Sequence, residues 1–576
     1  MARGWTNPYL LLALLVGIVC LPFIDQPFHI DDRIYLEVAD NILKKPLYPY
    51  DYPAIHEGFQ APDAASHSHL PLTSYYLALV KVLAGSDREW PFHLAFLVFP
   101  ILAAWGMYDL AGRFVRLPLA AAALLVVSPV FLVLSHTLMT DVPLLCFWIL
   151  AFSRFLRIQD ETMRRADWAI LVLSLLGGAF ISLTTIIPVS VFAFGAVVTG
   201  RPADQRTRRQ LAVVLALPFV LWFLWFLLAY VHYGRFVLIR TFQHMNHRAA
   251  FDWGLIQLKG LSFVLNIGGV FTMPVVAWIA LARGFRLRVA LLVFGCAFIP
   301  FYSWVSGWSW PDTFLFALFL STGVLILASL AVLLPGKLRS LIPPYQAGEV
   351  AASRKQAQSW GLLFLWFGAV LVACLVIYYS GSVRYTLPAL PVIILLVLAQ
   401  LERVSGDYFR RNLVSLVVLL TAVYSLWISV GDYRFASVYR DAAAELSQSY
   451  ARPAHSIWIT GEWGFRHYMN RAGARTLLQT ATGPKAGDVI IKPRIAMPWV
   501  TLYDPREYTD LVEQRHVKSS SRIRLLDFSS HAGFYSTGWG VLPFSIRKAD
   551  DRWEWFNIYR VKKEYEGPVP EPTRPW

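Results

Sequence analysis

Charged residues are scarce in this chain. They make up 15% of its 576 residues, whereas an ordinary soluble domain carries about a quarter. Hydrophobic residues reach 56%, and the mean hydropathy is +0.49. Apolar runs of roughly 17–25 residues, each long enough to cross a bilayer, recur over most of the chain. This composition excludes a soluble globular protein and predicts an α-helical polytopic membrane protein.

Cysteine is also rare, and its placement excludes two classes of site. The chain has four cysteines, all within apolar stretches: Cys20, Cys146, Cys296 and Cys374. Isolated cysteines in such stretches are typical of small buried hydrophobic residues. No disulfide framework or zinc motif can be built from them. We interpret the N-terminal apolar run as an uncleaved first helix, not a signal peptide, because many more apolar runs follow it.

The net charge of +15, from 52 basic and 37 acidic residues, does not indicate a nucleic-acid-binding protein. The basic residues form short clusters between the apolar runs, and such loops belong on the cytoplasmic side of a membrane. Placing every cluster there predicts about thirteen transmembrane helices, with the N-terminus inside and the C-terminus outside. The predicted spans are roughly 9–24, 91–112, 118–135, 142–157, 169–182, 183–200, 210–231, 262–282, 289–304, 313–334, 359–379, 386–401 and 413–430.

One apolar stretch, residues 70–85, is too short for a comfortable span. If it crossed the membrane, every later basic loop would change sides, so we predict a juxtamembrane helix at the interface. The first external loop then covers about residues 25–90. Residues 1–430 are predicted to form the transmembrane module. Residues 431–576 contain no span and are predicted to form a small extracytoplasmic α/β domain, with helices near 440–450 and 462–471 and strands near 456–460, 489–492, 523–528 and 553–561.

Candidate catalytic groups gather at the predicted external ends of the spans. The Asp31-Asp32 pair follows the first span, Asp141 begins a later one in Thr-Asp-Val-Pro, and Arg384 precedes Tyr385 near the end of the module. A carboxylate there can take the proton from an attacking hydroxyl. A guanidinium can bind and stabilise a departing phosphate. The alternatives are that the acids cap helices and that Arg384 reaches to lipid headgroups.

The order of three short motifs resembles a known family. Asp-acid-x-x-Tyr follows the first span, then come Thr-Asp-x-Pro-Leu and Arg-Tyr-x-Leu-Pro. Over about residues 1–430 this order resembles the GT-C fold membrane glycosyltransferases, in particular the protein mannosyltransferase and lipid A aminoarabinose transferase group (glycosyltransferase family 39-like). The resemblance implies polyprenyl-phosphate sugar donors and chemistry outside the cytoplasmic leaflet. It implies catalytic roles for Asp31, its acidic neighbour Asp32 and Asp141, and a donor-phosphate contact for Arg384.

The first loop departs from the family pattern at one position. Relatives often carry Lys-Pro-Pro-Leu where this chain has His67-Ser68-His69-Leu70-Pro71-Leu72, so His69 replaces the lysine. His69 and Arg33 are therefore the further candidates for the donor phosphate. His67 and His69, together with an aspartate, could instead bind a divalent metal ion, although loop histidines are often simply solvated.

Two other groups have weaker functional signals. His244, His247 and Asp252 lie in a predicted external loop, about residues 232–261, that could touch donor or acceptor. The run Gly461-Glu462-Trp463-Gly464 in the C-terminal part could contact an acceptor, but a structural turn is the preferred interpretation.

Together these observations favour an inverting glycosyltransferase. It would move a sugar from a polyprenyl-phosphate donor to a protein, lipid or glycan acceptor at the extracytoplasmic face of a membrane, by family likeness the inner membrane of a bacterium. A lipid-linked glycan transporter or flippase is the first alternative. It would need a polar pathway, yet the predicted spans 210–231, 386–401 and 413–430 carry no ionisable group in their middles. A non-catalytic assembly partner acting through residues 431–576 is the second.

Overall fold

A computed structural model describes residues 7–56, 59–65, 69–160, 164–199, 204–237, 252–273, 299, 301–303, 305–339, 349–402, 407–452, 455–478, 483–496, 505–518, 521–548 and 551–564. The described part is mostly helical up to residue 450, apart from one short hairpin, and mixes short strands and helices after it. Because the described residues before 450 are mostly apolar and helical, the fold class agrees with the composition.

The first helix and the loop after it precede the main helical bundle. Helix α1 (Pro8–Cys20) begins with a proline, which suits the first helical turn because its missing N–H has no helix acceptor to lose there. The loop contains, in chain order, helix α2 (Asp32–Ile42), the hairpin β1 (Ala54–His56) and β2 (Phe59–Ala61), and helix α3 (Leu72–Ala84). Helix α3 lies within the stretch for which the sequence predicts a juxtamembrane helix.

The remaining helices of the bundle follow in order. They are α4 (Glu89–Phe96), α5 (Val98–Ala111), α6 (Pro118–Val127), α7 (Pro129–Ser135), α8 (Asp141–Gln159), α9 (Arg165–Ile181), α10 (Ile186–Thr199), α11 (Gln205–Tyr233), α12 (Trp253–Gly269), α13 (Trp310–Arg339), α14 (Glu349–Val372), α15 (Val383–Thr386), α16 (Leu390–Leu401) and α17 (Asp407–Tyr450). Helix α16 is the most buried of the apolar spans. This burial in the protein core explains why its sequence carries no charged residue.

Among the described residues, six helices are long and apolar enough to cross a membrane. The number is seven if α6 and α7 form one span bent by 59°. The bend falls at Ser128 and Pro129, where proline removes a helical hydrogen bond and clashes with the preceding turn. The exact count of thirteen stays a prediction, and much of the predicted spans 262–282 and 289–304 lies outside the described residues.

The C-terminal part, residues 431–576, begins inside a helix. The sequence predicts a span at 413–430 and a separate helix near 440–450, but the structure has one continuous helix there. Helix α17 is a single 44-residue helix that runs through residue 431 to Tyr450, so the helix predicted near 440–450 is its continuation. Helix α18 (Trp463–Arg471) agrees with the predicted one. A further short helix, α19 (Pro505–Tyr508), was not predicted. The proposed domain boundary at 431 therefore falls inside a helix.

A five-stranded sheet forms the centre of this part. Its strands are β3 (Ile457–Ile459), β4 (Arg475–Thr476), β5 (Val489–Pro493), β6 (Thr509–Lys518) and β11 (Arg552–Val561), and their order across the sheet is β4-β3-β5-β11-β6. Strand β3 pairs in parallel with β4 and β5, and β11 pairs antiparallel with β5 and β6. The strand predicted at 523–528 is instead two short strands with different partners: β7 (Ile523–Arg524) pairs with β10 (Ser545–Ile546), and β8 (Leu526–Asp527) pairs with β9 (Ala532–Gly533).

Buried polar contacts attach this sheet to the helices. Glu554 on β11 accepts a hydrogen bond of 2.9 Å from the Tyr439 hydroxyl on α17. Arg547 forms a salt bridge of 2.5 Å with Asp312, which is 1% exposed, near the start of α13. Buried polar groups cost free energy unless they are paired, so each of these contacts adds a local attachment between the C-terminal part and the bundle.

Candidate active site

Asp31 lies at the start of α2 but does not cap it. Its side chain makes no hydrogen bond to the helix N-terminus; it accepts one of 2.6 Å from Nη1 of Arg384 instead. The residue before it, Ile30, has φ +47°, in the left-handed region that a β-branched residue rarely adopts. The Asp31 side chain stays 29% exposed. A partly open carboxylate on a strained turn is typical of a functional position.

Asp32 faces the opposite way and is fully buried. Its Oδ1 accepts the Leu138 backbone N–H at 2.8 Å, and its Oδ2 accepts the His29 backbone N–H at 2.9 Å. Burial raises the pKa of Asp32 to about 8. The Asp32 carboxyl therefore ties the first loop to the segment between α7 and α8, and its expected catalytic role stays a prediction.

Arg384 lies between two acids. It sits on the one-turn helix α15, between an extended Ser382 and the turn at 387–389. Its Nε is 3.5 Å from Oδ2 of Asp141, the first residue of α8, and its Nη1 also contacts Met139 Sδ at 3.2 Å. The side chain is 6% exposed, so it does not reach to lipid headgroups. The structure thus brings together Asp31, Asp141 and Arg384, three predicted site residues from distant parts of the chain.

An aromatic pair lies beside the guanidinium. The Tyr385 ring lies 5.5 Å from the Arg384 guanidinium carbon and stacks on Tyr378 at 4.2 Å and 6°. The Tyr35 hydroxyl is 3.4 Å from Oγ1 of Thr140, the residue before Asp141. Ring surface beside an ion pair lowers the local dielectric constant and strengthens the electrostatic attraction.

A buried lysine near these rings was missed by the sequence analysis. Lys259 on α12 is 1% exposed and donates a hydrogen bond of 2.9 Å to the Tyr378 carbonyl. The signal was available in the sequence, because a lysine inside the apolar run of residues 253–269 is costly unless it has a function or a partner. It was overlooked because the predicted span began only at residue 262.

His69 lies beside this cluster, with its ring 5.5 Å from that of Tyr35. Burial, followed by the positive charge of Arg384, lowers the pKa of His69 to about 4. The lowered pKa leaves the imidazole neutral at pH 7, and the expected phosphate contact of His69 stays a prediction. His67 lies outside the described residues. Within the part of the chain that the structure describes, no three His, Cys, Asp or Glu side chains come together as a metal site.

An apolar pocket opens next to His69. The first loop supplies one wall, and the end of α11 supplies the other. Its lining includes Tyr48, Tyr50, His69, Trp225, Phe226 and Tyr233. Two contacts hold the walls together: His232 stacks on Tyr48 at 3.7 Å, and Arg235 binds Asp63 at 2.5 Å.

The other predicted site residues have different roles or lie elsewhere. Arg33 is 3% exposed and pairs with Glu37 at 2.5 Å and Glu462 at 2.6 Å, so its charge is already paired within the protein, and the expected phosphate contact stays a prediction. Asp252 caps α12 by accepting the Gly254 N–H at 2.8 Å. His244 and His247 lie outside the described residues.

The run 461–464 leads into helix α18 and contacts the first loop. Gly461 has φ +101° and Trp463 has φ +63°. A Cβ on Gly464 would lie 2.3 Å from the Phe28 carbonyl oxygen, so only glycine fits there. The run therefore has a structural role against the first loop, and a contact with an acceptor stays a prediction.

Comparison with known proteins finds several solved structures and one family model that are similar to this chain. The chain is similar in structure to ArnT from Cupriavidus metallidurans in the apo state (16% identity, TM-score 0.38, covering 81% of this chain and 85% of that one). It is also similar to ArnT bound to undecaprenyl phosphate (14%, 0.41, 86% and 96%) and to the archaeal oligosaccharyltransferase AglB from Archaeoglobus fulgidus (13%, 0.44, 82% and 64%). The comparison with curated proteins finds no match. Residues 66–228 match the family model of dolichyl-phosphate-mannose-protein mannosyltransferases, which confirms the resemblance to this GT-C group over that region.

Proposed function

We propose that this protein is an inverting glycosyltransferase that moves a hexosyl or pentosyl unit from a polyprenyl-phosphate donor to an acceptor. The observation that carries the proposal is the contact of Arg384 with Asp31 at 2.6 Å and with Asp141 at 3.5 Å. One cation and two acids at one opening provide both groups that displacement of a phosphate needs: a base for the acceptor and a positive charge for the leaving group.

The reaction is a single in-line displacement. The acceptor oxygen attacks the anomeric carbon as its proton passes to the Asp31 carboxylate. The bond between the anomeric carbon and the phosphate oxygen breaks, and polyprenyl phosphate leaves with its negative charge next to Arg384. One displacement at the anomeric carbon inverts its configuration. Asp141 holds the guanidinium from the other side and orients the sugar or the acceptor.

Charge balance favours a second cation for the phosphate. With both acids ionised, Asp31, Asp141 and Arg384 sum to −1, and a phosphodiester donor adds another negative charge. Lys259 is the available group, because its ammonium bonds to the carbonyl of Tyr378, whose ring lies against Tyr385. His69, being neutral, would donate a hydrogen bond and not a charge.

The pocket beside His69 suits the isoprenoid chain of such a donor. Its walls are apolar and aromatic, which matches a hydrocarbon tail. The family model that matches residues 66–228 is named for a dolichyl-phosphate sugar, and this supports the same donor class. We place the site and the C-terminal part outside the cytoplasmic leaflet, in a bacterial inner membrane, from the basic loops and the family resemblance. The acceptor is a protein, a lipid or a glycan.

Purified protein in lipid nanodiscs, incubated with a panel of polyprenyl-phosphate sugars, tests the proposal. We expect one donor to lose its sugar, and the product to carry the opposite anomeric configuration by NMR. Asp31→Asn should lower the transfer rate at least about 100-fold without loss of donor binding, because a positioned general base contributes that much. Asp25→Asn, an exposed acid of the same loop, is the matched control and should stay within about threefold of the parent. Near-parental transfer by Asp31→Asn would reject the base assignment, and sugar loss from no donor would reject the enzyme.

A further inference from the structure

The C-terminal part contacts the chain next to both Asp31 and Arg384. On the Arg384 side, the Phe534 carbonyl accepts the Val383 backbone N–H at 2.9 Å and the Ser382 hydroxyl at 3.2 Å. The Thr537 N–H donates to the Gly381 carbonyl at 2.9 Å. The segment of residues 534–537 therefore runs alongside the three residues that precede Arg384.

The same segment reaches the Asp31 side through Tyr535. The Tyr535 hydroxyl donates to the Asp432 carboxylate at 3.0 Å, and its ring lies edge-on to the His29 ring at 5.3 Å. Asp432 is 1% exposed, lies 3.4 Å from Nε2 of His29 and accepts a hydrogen bond of 3.2 Å from Gln26. His29 is fully buried and stands two residues before Asp31.

A third contact lies just upstream. The Phe28 N–H donates to the Tyr468 hydroxyl at 2.8 Å, and the Phe28 carbonyl packs against Gly464. Ile30, in its left-handed conformation, lies between the contacts of Phe28 and the Asp32 carboxyl, which accepts the His29 N–H. Such a conformation persists in a β-branched residue only where the surroundings impose it.

We propose that Asp432 and the 534–537 segment are positioning elements that hold Asp31 and Arg384 at bonding distance. This inference rests on the proposed function for its catalytic readout. Asp432 acts through His29, because its carboxylate and the Tyr535 ring fix the imidazole and with it the turn at Ile30. The Phe534 carbonyl sets the path of residues 381–383. A single loop of the C-terminal part thus sets the geometry on both sides of the pair.

The test uses the full-length protein in nanodiscs, with Asp432→Asn as the main variant and Tyr535→Phe as a milder second one. Asp312→Asn is the matched control, since Asp312 is equally buried and also bonds to the C-terminal part, through Arg547. Displacement of a catalytic group by about 1 Å costs on the order of 100-fold in rate. We expect Asp432→Asn to lower kcat at least about tenfold, and Tyr535→Phe about threefold, with the donor KM within about twofold of the parent.

Hydrogen–deuterium exchange supplies a readout that does not depend on activity. The backbone N–H groups of Phe28 and His29 are both hydrogen-bonded in this turn, so Asp432→Asn should speed exchange in the peptide covering residues 26–31. Asp312→Asn should leave both kcat and this exchange unchanged. The positioning role is wrong if Asp432→Asn changes kcat and the exchange of residues 26–31 no more than Asp312→Asn does. If the parent protein transfers no sugar while the exchange result holds, the proposed function fails and the structural coupling stands.

Discussion

The guanidinium of Arg384 donates a hydrogen bond of 2.6 Å to the carboxylate of Asp31, although 353 positions separate the two residues in the chain. The contact joins the first loop to the turn that leads into α16. Arg384 makes a second contact, 3.5 Å from its Nε to Oδ2 of Asp141, which brings the start of α8 to the same guanidinium. A helix cap or a headgroup contact would not need three distant segments to meet. The convergence is what favours a catalytic interpretation over either.

Arg384→Lys should lower the transfer rate at least about tenfold, because a lysine ammonium is a point charge that cannot reproduce the fork of a guanidinium between two carboxylates. Arg384→Gln should cost at least about 100-fold, since it removes the charge that stabilises the leaving phosphate. Steady-state kinetics measures both rates, with the donor that loses its sugar in the panel experiment. Arg515→Lys, in a pair with Glu513 on strand β6, is the control and should remain within about twofold. Half-parental transfer by Arg384→Gln would contradict the role.

Asp32 predicts a pH dependence of stability. Burial raises its pKa from 3.8 to about 8, so the folded protein binds this proton more tightly than the unfolded chain does. Its contribution to stability is therefore largest on the acid side and is lost as the pH rises from about 4 through about 8, by at most about 1.4 kcal/mol for each pH unit. Thermal unfolding midpoints at several pH values between 5 and 8 should fall with pH.

Asp32→Asn removes the titrating group while keeping one acceptor. We expect a lower midpoint overall and a flatter decline with pH than in the parent. Asp25→Asn, exposed in the same loop, should keep the parental slope. Parallel slopes in the parent and Asp32→Asn would show that the Asp32 carboxyl does not change protonation on unfolding in this range.

Replacing His69 with a neutral residue should change neither donor binding nor the pH profile of the enzyme much. Because burial and Arg384 lower its pKa to about 4, the imidazole carries no charge across the range in which the enzyme would work. His69→Gln, which is neutral and retains hydrogen-bonding groups, should change the donor KM by less than about threefold and leave the pH profile between 6 and 8 unchanged. Kinetics over this range measure it. A tenfold rise in KM, or loss of a limb of the profile, would mean that His69 acts as a cation.

The Asp31-Asp32 pair shows where sequence reasoning reached its limit. The two acids are equivalent in a linear motif, and the family resemblance assigned both to the active site. The left-handed turn at Ile30 sends one carboxylate to Arg384 and the other to the backbone N–H groups of His29 and Leu138. No propensity predicts a β-branched residue in that conformation, because its surroundings, not its own preference, impose it.

Arg33 illustrates the same limit for charge. In the sequence it is a basic residue beside the candidate acid and therefore a candidate for the phosphate. In the structure Glu462 pairs with it at 2.6 Å, from 429 positions away, so its charge already has a partner within the protein. Local sequence carries no information on which distant acid will neutralise a given base.

The sequence by itself determined the membrane class, most helix positions and several of the C-terminal strands. Those features depend on the hydropathy of each segment and on its periodicity, which are local properties. Only the tertiary structure decided that Asp31, Asp141 and Arg384 meet, that Asp32 is buried, and that residues 534–537 hold both sides of the pair. These depend on where chain segments hundreds of residues apart come to lie, and packing of the whole bundle sets that path.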